Sequence, residues 1–356
     1  MLTTCIGAYP KPSFLELPDW FSNPTGMDME NPTKSWAGAI AAMGDSAEQN
    51  ITNACREVVT DQVEAGIDIP TDGEVCRENY IHYHCRHLEG FDFNQLTERE
   101  LRGGTYRAQL PTISGPVRAR DVGFLVRDWK RAQSFTNRPV KITMPGPLTV
   151  TDSNANTYYE SEKPLGAAIA DALNTEALAL VDAGCVNIQV DEPVFARKPD
   201  VALDYGIENL ERVFHGVPAS VNKVMHMCCG YPDRMDRLDY PKADRNAYFR
   251  IMGAVDDSCV DMVSIEDAHR HNDLSLLELA GKTKVILGVV AIALSRVETV
   301  GQIVTRLEQA LQHIDPDRLV AAPDCGLGLL GRHLSVVKLR NMCEAAAKLS
   351  SSAHAL

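Results

Sequence analysis

The stretch "GCVNIQVDEP", residues 184–193, follows directly on "GAAIADALNTEALALVDA", residues 166–183. The longer segment repeats its apolar residues at helical spacing and ends at a glycine. The shorter one is a β-branched apolar run that stops at two acids and a proline. Together they read as a helix feeding a short buried strand with a polar carboxyl end, one unit of a strand–helix chain wound around a parallel sheet.

Working outward, the same kind of strand recurs as "TTCIGAYP", "AGIDIPTDGE", "VKITMPGP", "NKVMHMCCG", "DMVSIEDAH", "TKVILGVVA" and "DRLVAAPDCG", which makes eight in all. A second clear helix, "TVGQIVTRLEQALQHI", ends at "DPDR". Eight units predict an α/β fold, a (β/α)8 TIM barrel, with chemistry gathered where strands end. The polar strand ends are Glu74, Asp191, Glu192, His226, Cys228, Glu266, Asp324 and Cys325. Residues 18–48 and 88–120 fall outside the alternation. They are expected as an N-terminal excursion and an inserted hairpin or lid on a single domain spanning residues 1–356, since no linker divides the chain.

A chain of 356 residues with 45% hydrophobic and 23% charged residues has the composition of a soluble globular protein, and no apolar run is long enough to span a bilayer. The net charge of -13 argues against a nucleic-acid binder, which needs a basic stripe to displace counterions. "MLTTCIGAYP" lacks the basic and apolar regions of a signal peptide, and ten cysteines then suit a reducing compartment. The expected location is cytoplasmic, with no membrane or nucleic-acid partner and an oligomeric state that the sequence does not specify.

In a strand the side chains alternate faces, so His226 and Cys228 point one way while Met227 and Cys229 point the other. Strand ends converging on one barrel mouth add Glu266 from "SIED" and Cys325 from "PDCG", giving one nitrogen, one oxygen and two sulfurs. Soft thiolates with imidazole favour zinc. Spacing alone leaves other readings open, in which the cysteines are small buried hydrophobes and His226 a satisfied core histidine, or the zinc is purely structural.

These residues are identifiable as a pattern. "HMC" at 226–228, "IE" at 265–266 and "PDCGL" at 323–327 resemble the zinc motifs of the catalytic domain of cobalamin-independent methionine synthase. So do "IGAYP" at 6–10, "DGE" at 72–74, "GP" at 146–147 and "QVDEP" at 189–193, and the similarity covers nearly the whole chain. The resemblance implies zinc held by His226, Cys228, Glu266 and Cys325, a homocysteine thiol bound as thiolate, and Glu74 and Asp191 receiving the substrate's amino group in the catalytic site. Coordination to a cation deprotonates a thiol that is otherwise protonated at neutral pH.

Departures from the family pattern shape the rest of the expectation. The long enzymes of the family carry a second, N-terminal barrel and this chain is expected to be the catalytic one alone; their pterin-stacking tryptophan is replaced by Ser153, and "GVVAIALS" puts Ala291 and Ala293 where an Asp and a His are usual. Ala8 stands where a homocysteine-contacting serine is usual. The expected enzyme is therefore a zinc-dependent methyltransferase acting on a small-molecule thiol, with a donor other than folate bound in the usual way. A methylcorrinoid, free or on a carrier protein, is preferred because its cobalt leaves without a proton. The alternative is epoxide opening by coenzyme M, whose sulfonate needs cations such as Lys11, Arg77 or Arg107. Porphyrin decarboxylation needs no zinc, and a non-enzymatic zinc scaffold would show no ligand exchange. His82 and His84 are candidates for lining the substrate pocket, and His269 and His271 for replacing the lost proton donor.

Overall fold

The structure, a computed structural model, describes residues 1–21, 31–101 and 106–353. Its strands are β1 Leu2–Thr3, β2 Leu88–Leu101, β3 Tyr106–Ala119, β4 Ile142–Pro145, β5 Ala155–Asn156, β6 Asn187–Asp191, β7 Asn222–Met227, β8 Met262–Ile265, β9 Lys284–Val290 and β10 Leu319–Pro323. Seven of them form one curled parallel sheet in the order β1-β10-β9-β8-β7-β6-β4. Parallel neighbours need a crossover, and helices supply it: Glu162–Asp182 precedes β6, Ala247–Asp257 precedes β8 and Val300–Ala310 precedes β10. The last of these begins with a capping box, Thr299 on the Gln302 backbone and Gln302 on that of Thr299, which satisfies two N–H groups that have no partner inside the helix.

The expectation of eight strands needs correction on one segment. "AGIDIPTDGE" forms no continuous ladder; it touches the sheet through two isolated parallel bridges, Thr4 with Ile69 and Thr71 with Lys141. Pro70 has no N–H to contribute, and the Gln62 side chain takes the backbone N–H and C=O of Thr71 instead of a strand partner. The helix before it, Ala47–Ala65, stops at Gly66, whose φ of 108° closes the last turn.

The excursion at residues 88–120 is an antiparallel hairpin, β2 with β3, extended by β5 to three strands. This small sheet is separate from the seven-stranded one, and Arg99 Nη1 donates to the Asn154 carbonyl, next to β5, at 2.5 Å. In the N-terminal excursion, Asn31–Met43 is a helix, while residues 22–30 lie outside the described residues.

Two apolar layers flank the sheet. A small inner cluster joins Ile6, Val224, Met262, Ile286, Val320 and Ala322; the large outer one packs Met225, Met227, Val263, Ile265, Val285 and Leu287 under the helices. This parity assigns faces: the residues in step with Val224 and Met262 point inward, and at the carboxyl ends these are His226, Cys228, Ser264 and Glu266.

Candidate metal centre

Parallel register puts the strand ends level. Asp191 of β6 pairs with His226 of β7, and His226 with Ser264 of β8. One residue beyond β7, Cys228 continues the inward parity. Cys325 gets there differently. Alternation from Val320 and Ala322 would bring Asp324 inward, but the register shifts between Ala322 and Pro323, and Cys325 Sγ lies 3.3 Å from His226 Nε2. The donor atoms of His226, Cys228 and Cys325 all lie within 4.8 Å of one another, the only such group of three among the described residues.

The ring of His226 is oriented from behind. Its Nδ1 meets the Ser264 hydroxyl at 3.0 Å, which leaves Nε2 facing the sulfurs. The Cys325 thiol, then the His226 imidazole, holds the Cys228 thiol well below its ordinary range, while Cys325 is pushed up by Cys228. One buried thiol whose deprotonation two neighbours favour, with a second sulfur and an imidazole nitrogen, is a soft donor set that suits zinc and not magnesium or calcium. Ser264 is a residue that reading the sequence missed; its signal is its place two residues before Glu266 on the same face. Ser264→Ala is expected to weaken zinc binding about 10- to 100-fold with the fold intact, as read by chelator competition.

Glu266 is buried, yet the structure does not bring it into the three-donor group. The Cys229 N–H donates to its Oε2 at 3.1 Å and Lys242 Nζ ion-pairs with its Oε1. Cys229 faces away, into the core beside Tyr248, where burial pushes its thiol up to about 12.

The two acids lie on the same inner face. Glu74 is a non-glycine residue with φ 56°, a left-handed conformation that a long side chain rarely takes without a reason. That backbone aims its carboxylate inward, where Thr143 Oγ1 donates to Oε1 at 2.8 Å and accepts from Arg77 Nη1 at 3.0 Å. Gly7 is needed for this: a Cβ there would come within 2.6 Å of Glu74 Oε1. Asp191 accepts from Gln189 Nε2 at 2.7 Å, and burial, reinforced by Glu74, pushes its carboxyl up to about 7.

The Ala8 carbonyl accepts from Leu327 N, and its Cβ adjoins Gly326, so it borders the Cys325 loop. Lys11 is spoken for by Asp19 Oδ2 at 2.6 Å and the Arg77 carbonyl at 2.8 Å. His82 and His84 are not brought to the metal group: His82 is fully buried, with Nδ1 2.8 Å from Thr33 Oγ1, and His84 pairs with buried Glu176 at 2.5 Å. Burial pushes His82 down to about 4. The Arg107 side chain lies outside the described residues. His269 does sit at Ile292 and Ala293, but its Nε2 accepts both of their N–H groups, at 3.1 and 3.3 Å, and burial holds the ring neutral, near 3. His271 is mostly exposed and contacts Asp267. Asp324 ties this loop down, accepting the N–H groups of Asp267, Ala268 and His269 at 2.7–2.8 Å.

Comparison with known proteins follows the same lines. Residues 21–348 match the family described as the catalytic domain of cobalamin-independent synthase. The chain is 30% identical over 346 residues to a methionine synthase of Saccharolobus islandicus, covering 96% of this chain and 92% of that one. It is 29% identical to the methionine synthase of Sulfolobus acidocaldarius, covering 96% and 89%. A B12-independent methionine synthase from Shewanella sp. W3-18-1, solved in complex with selenomethionine, superposes with a TM-score of 0.85 at 30% identity over 99% of both chains. A structure from Listeria monocytogenes, at 17% identity and a TM-score of 0.69, shares the fold.

Proposed function

The chain belongs to the cobalamin-independent synthase catalytic-domain family, and from that premise we propose that it is a zinc-dependent S-methyltransferase converting homocysteine to methionine. It does so as one cytoplasmic domain, residues 1–356, whose segment 65–74 completes an eightfold barrel through its two bridges. The observation that carries this reading is the convergence of His226 and Cys228 from the end of β7 with Cys325 from the end of β10, beside two inward acids. Zinc held by His226, Cys228 and Cys325, with Glu266 as a fourth ligand, would supply a substrate sulfur present as thiolate at neutral pH.

The chain's own groups do the rest. Ser264 fixes the His226 ring. Glu74 and Asp191 receive the substrate ammonium, and the buried setting of Asp191 makes that ion pair stronger than it would be in water. Selenomethionine in the Shewanella relative supports an amino acid of methionine's shape here. Coenzyme M is less well served, because Lys11 is paired with Asp19, and Arg77 with Asp72 and Glu74.

For the donor, Ala291 and Ala293 carry no titratable group and His269 Nε2 is an acceptor, so the site favours a leaving group that departs without a proton from this side. A methylcorrinoid is such a donor. The family's description and the Shewanella relative's name, which specify independence of cobalamin and of B12, lend that choice no support, and it rests on these residues alone. The test is a screen at fixed homocysteine with zinc-loaded protein and carbon-13 methyl donors: methylcobalamin, methyl-folates and sulfonium compounds. Labelled methionine that disappears on zinc removal is the expected product. Alkylation of coenzyme M by an epoxide, with no methionine from any donor, would overturn the reading.

A further inference from the structure

No motif marks Lys242. It lies on the strap of residues 231–246 that leaves β7 and folds back over its end, and the strap is anchored on both sides of it. The Ala243 N–H donates to the Cys229 carbonyl at 2.8 Å, and Arg270 Nη1 donates to the Ala243 carbonyl at 2.9 Å. Before it, Pro241 packs against Gly230, where a Cβ would come within 2.7 Å of the Pro241 carbonyl oxygen. Between these fixed points the Lys242 side chain runs over the Tyr240 ring, 4.8 Å from its centroid, and ends on Glu266. Both partners are nearly enclosed, with side chains 12% and 4% exposed.

Glu266 thus has two donors waiting beside the three-donor group, a backbone N–H on one oxygen and an ammonium on the other. We propose that Lys242 is a positioning residue that receives the Glu266 carboxylate when the substrate thiol takes its place at the metal position. The inference rests on the zinc-dependent reading above. A buried carboxylate released without a partner is strongly disfavoured, and that cost would fall on every exchange. An ammonium on a flexible four-carbon stem can follow a carboxylate through a small movement, which a rigid guanidinium fork does less well. In the exchange the Glu266 oxygen leaves as carboxylate, a sulfur lone pair takes its position, and the thiol proton passes to bulk water. No electron is gained or lost.

The experiment uses the full chain loaded with zinc and compares Lys242→Met and Lys242→Arg with the wild type. Two readouts are taken: zinc affinity by chelator competition, and the homocysteine concentration at which X-ray absorption records oxygen replaced by sulfur. Lys242→Met should bind zinc about tenfold more tightly and need about tenfold more homocysteine for the swap, because the carboxylate has lost its alternative partner. Lys242→Arg should stay within about threefold of wild type on both. A swap in Lys242→Met at the wild-type homocysteine concentration overturns the inference whatever the zinc affinity does, since loss of a nearby positive charge alone could tighten zinc. If Lys242→Met does not fold by circular dichroism, Lys242→Gln, whose neutral amide is a weaker partner than the ammonium, should shift both readouts in the same direction by about fivefold, and a swap there at the wild-type homocysteine concentration overturns the inference. A wild-type protein that shows no swap at all overturns the functional reading itself, a different result from a swap that Lys242 does not influence.

Discussion

Replacing Cys228 with serine is expected to strip the protein of zinc, while the same change at Cys229, its neighbour in sequence, leaves zinc in place. Cys228 is buried within 4.8 Å of His226 and Cys325 donors, and its thiol is held far down by Cys325 and His226. A serine hydroxyl there stays protonated and offers a poor ligand. If a four-ligand zinc site is worth roughly 10–16 kcal/mol, one ligand is worth about 3 kcal/mol, or more than about 100-fold in affinity. Cys229 behaves as a packed thiol: it is 1% exposed, and burial keeps it protonated to about 12. Serine there costs about 1 kcal/mol of stability from the lost sulfur packing. Zinc stoichiometry and thermal unfolding of the two variants check the pair. Equal loss of zinc in both would show that the strand parity does not choose the ligand.

Asp191→Asn is expected to separate stability from activity. In the folded protein the Asp191 carboxyl is raised from 3.8 to about 7, first by burial and then by Glu74. Because the folded value lies above the unfolded one, this group's favourable contribution is complete below pH 4 and is lost as pH rises through 7. At pH 8 the fold carries a buried carboxylate that asparagine avoids, so the metal-free variant should be more stable than wild type by on the order of 2–4 kcal/mol. The difference should vanish below pH 4. The asparagine Oδ1 still accepts from Gln189, so the gain is not offset by a lost hydrogen bond. Activity goes the other way. With no charge to meet the substrate ammonium, the KM for homocysteine should rise about 10- to 100-fold. Denaturant unfolding at pH 4 and pH 8, with steady-state kinetics, tests both halves. A variant less stable than wild type at pH 8 would contradict the burial argument, and an unchanged KM would remove Asp191 from substrate binding. A stabilising change that removes function is the usual mark of a residue kept for its chemistry.

How far the sequence could be read differs from one residue to the next. His226 and Cys228 follow from strand parity, since period-two alternation is a local property of the backbone. Glu266 is equally legible as an inward residue, but its partner is not: Lys242 arrives from a strap with no periodic signal, 24 residues away in the chain. Cys325 is legible as a strand-end residue, yet its inward position depends on a register shift that no residue pattern announces. His82 and His84 look in sequence like pocket residues. Their partners, Thr33 and Glu176, are 49 and 92 positions away, and only packing joins them.

The sequence by itself determined the alternation of helix and strand, the parallel sheet, and the chemical identity of the soft donors at the strand ends. Periodicity and residue type are written in neighbouring positions, and they act over a few residues. Tertiary structure alone decided that segment 65–74 meets the sheet through two bridges and not a ladder, that Ser264 orients His226, and that Glu266 rests on Lys242 and the Cys229 N–H. Each of these depends on a hydrogen bond or ion pair between groups that chain folding brings together, whose strength comes from burial that no single segment has before the sheet curls around it.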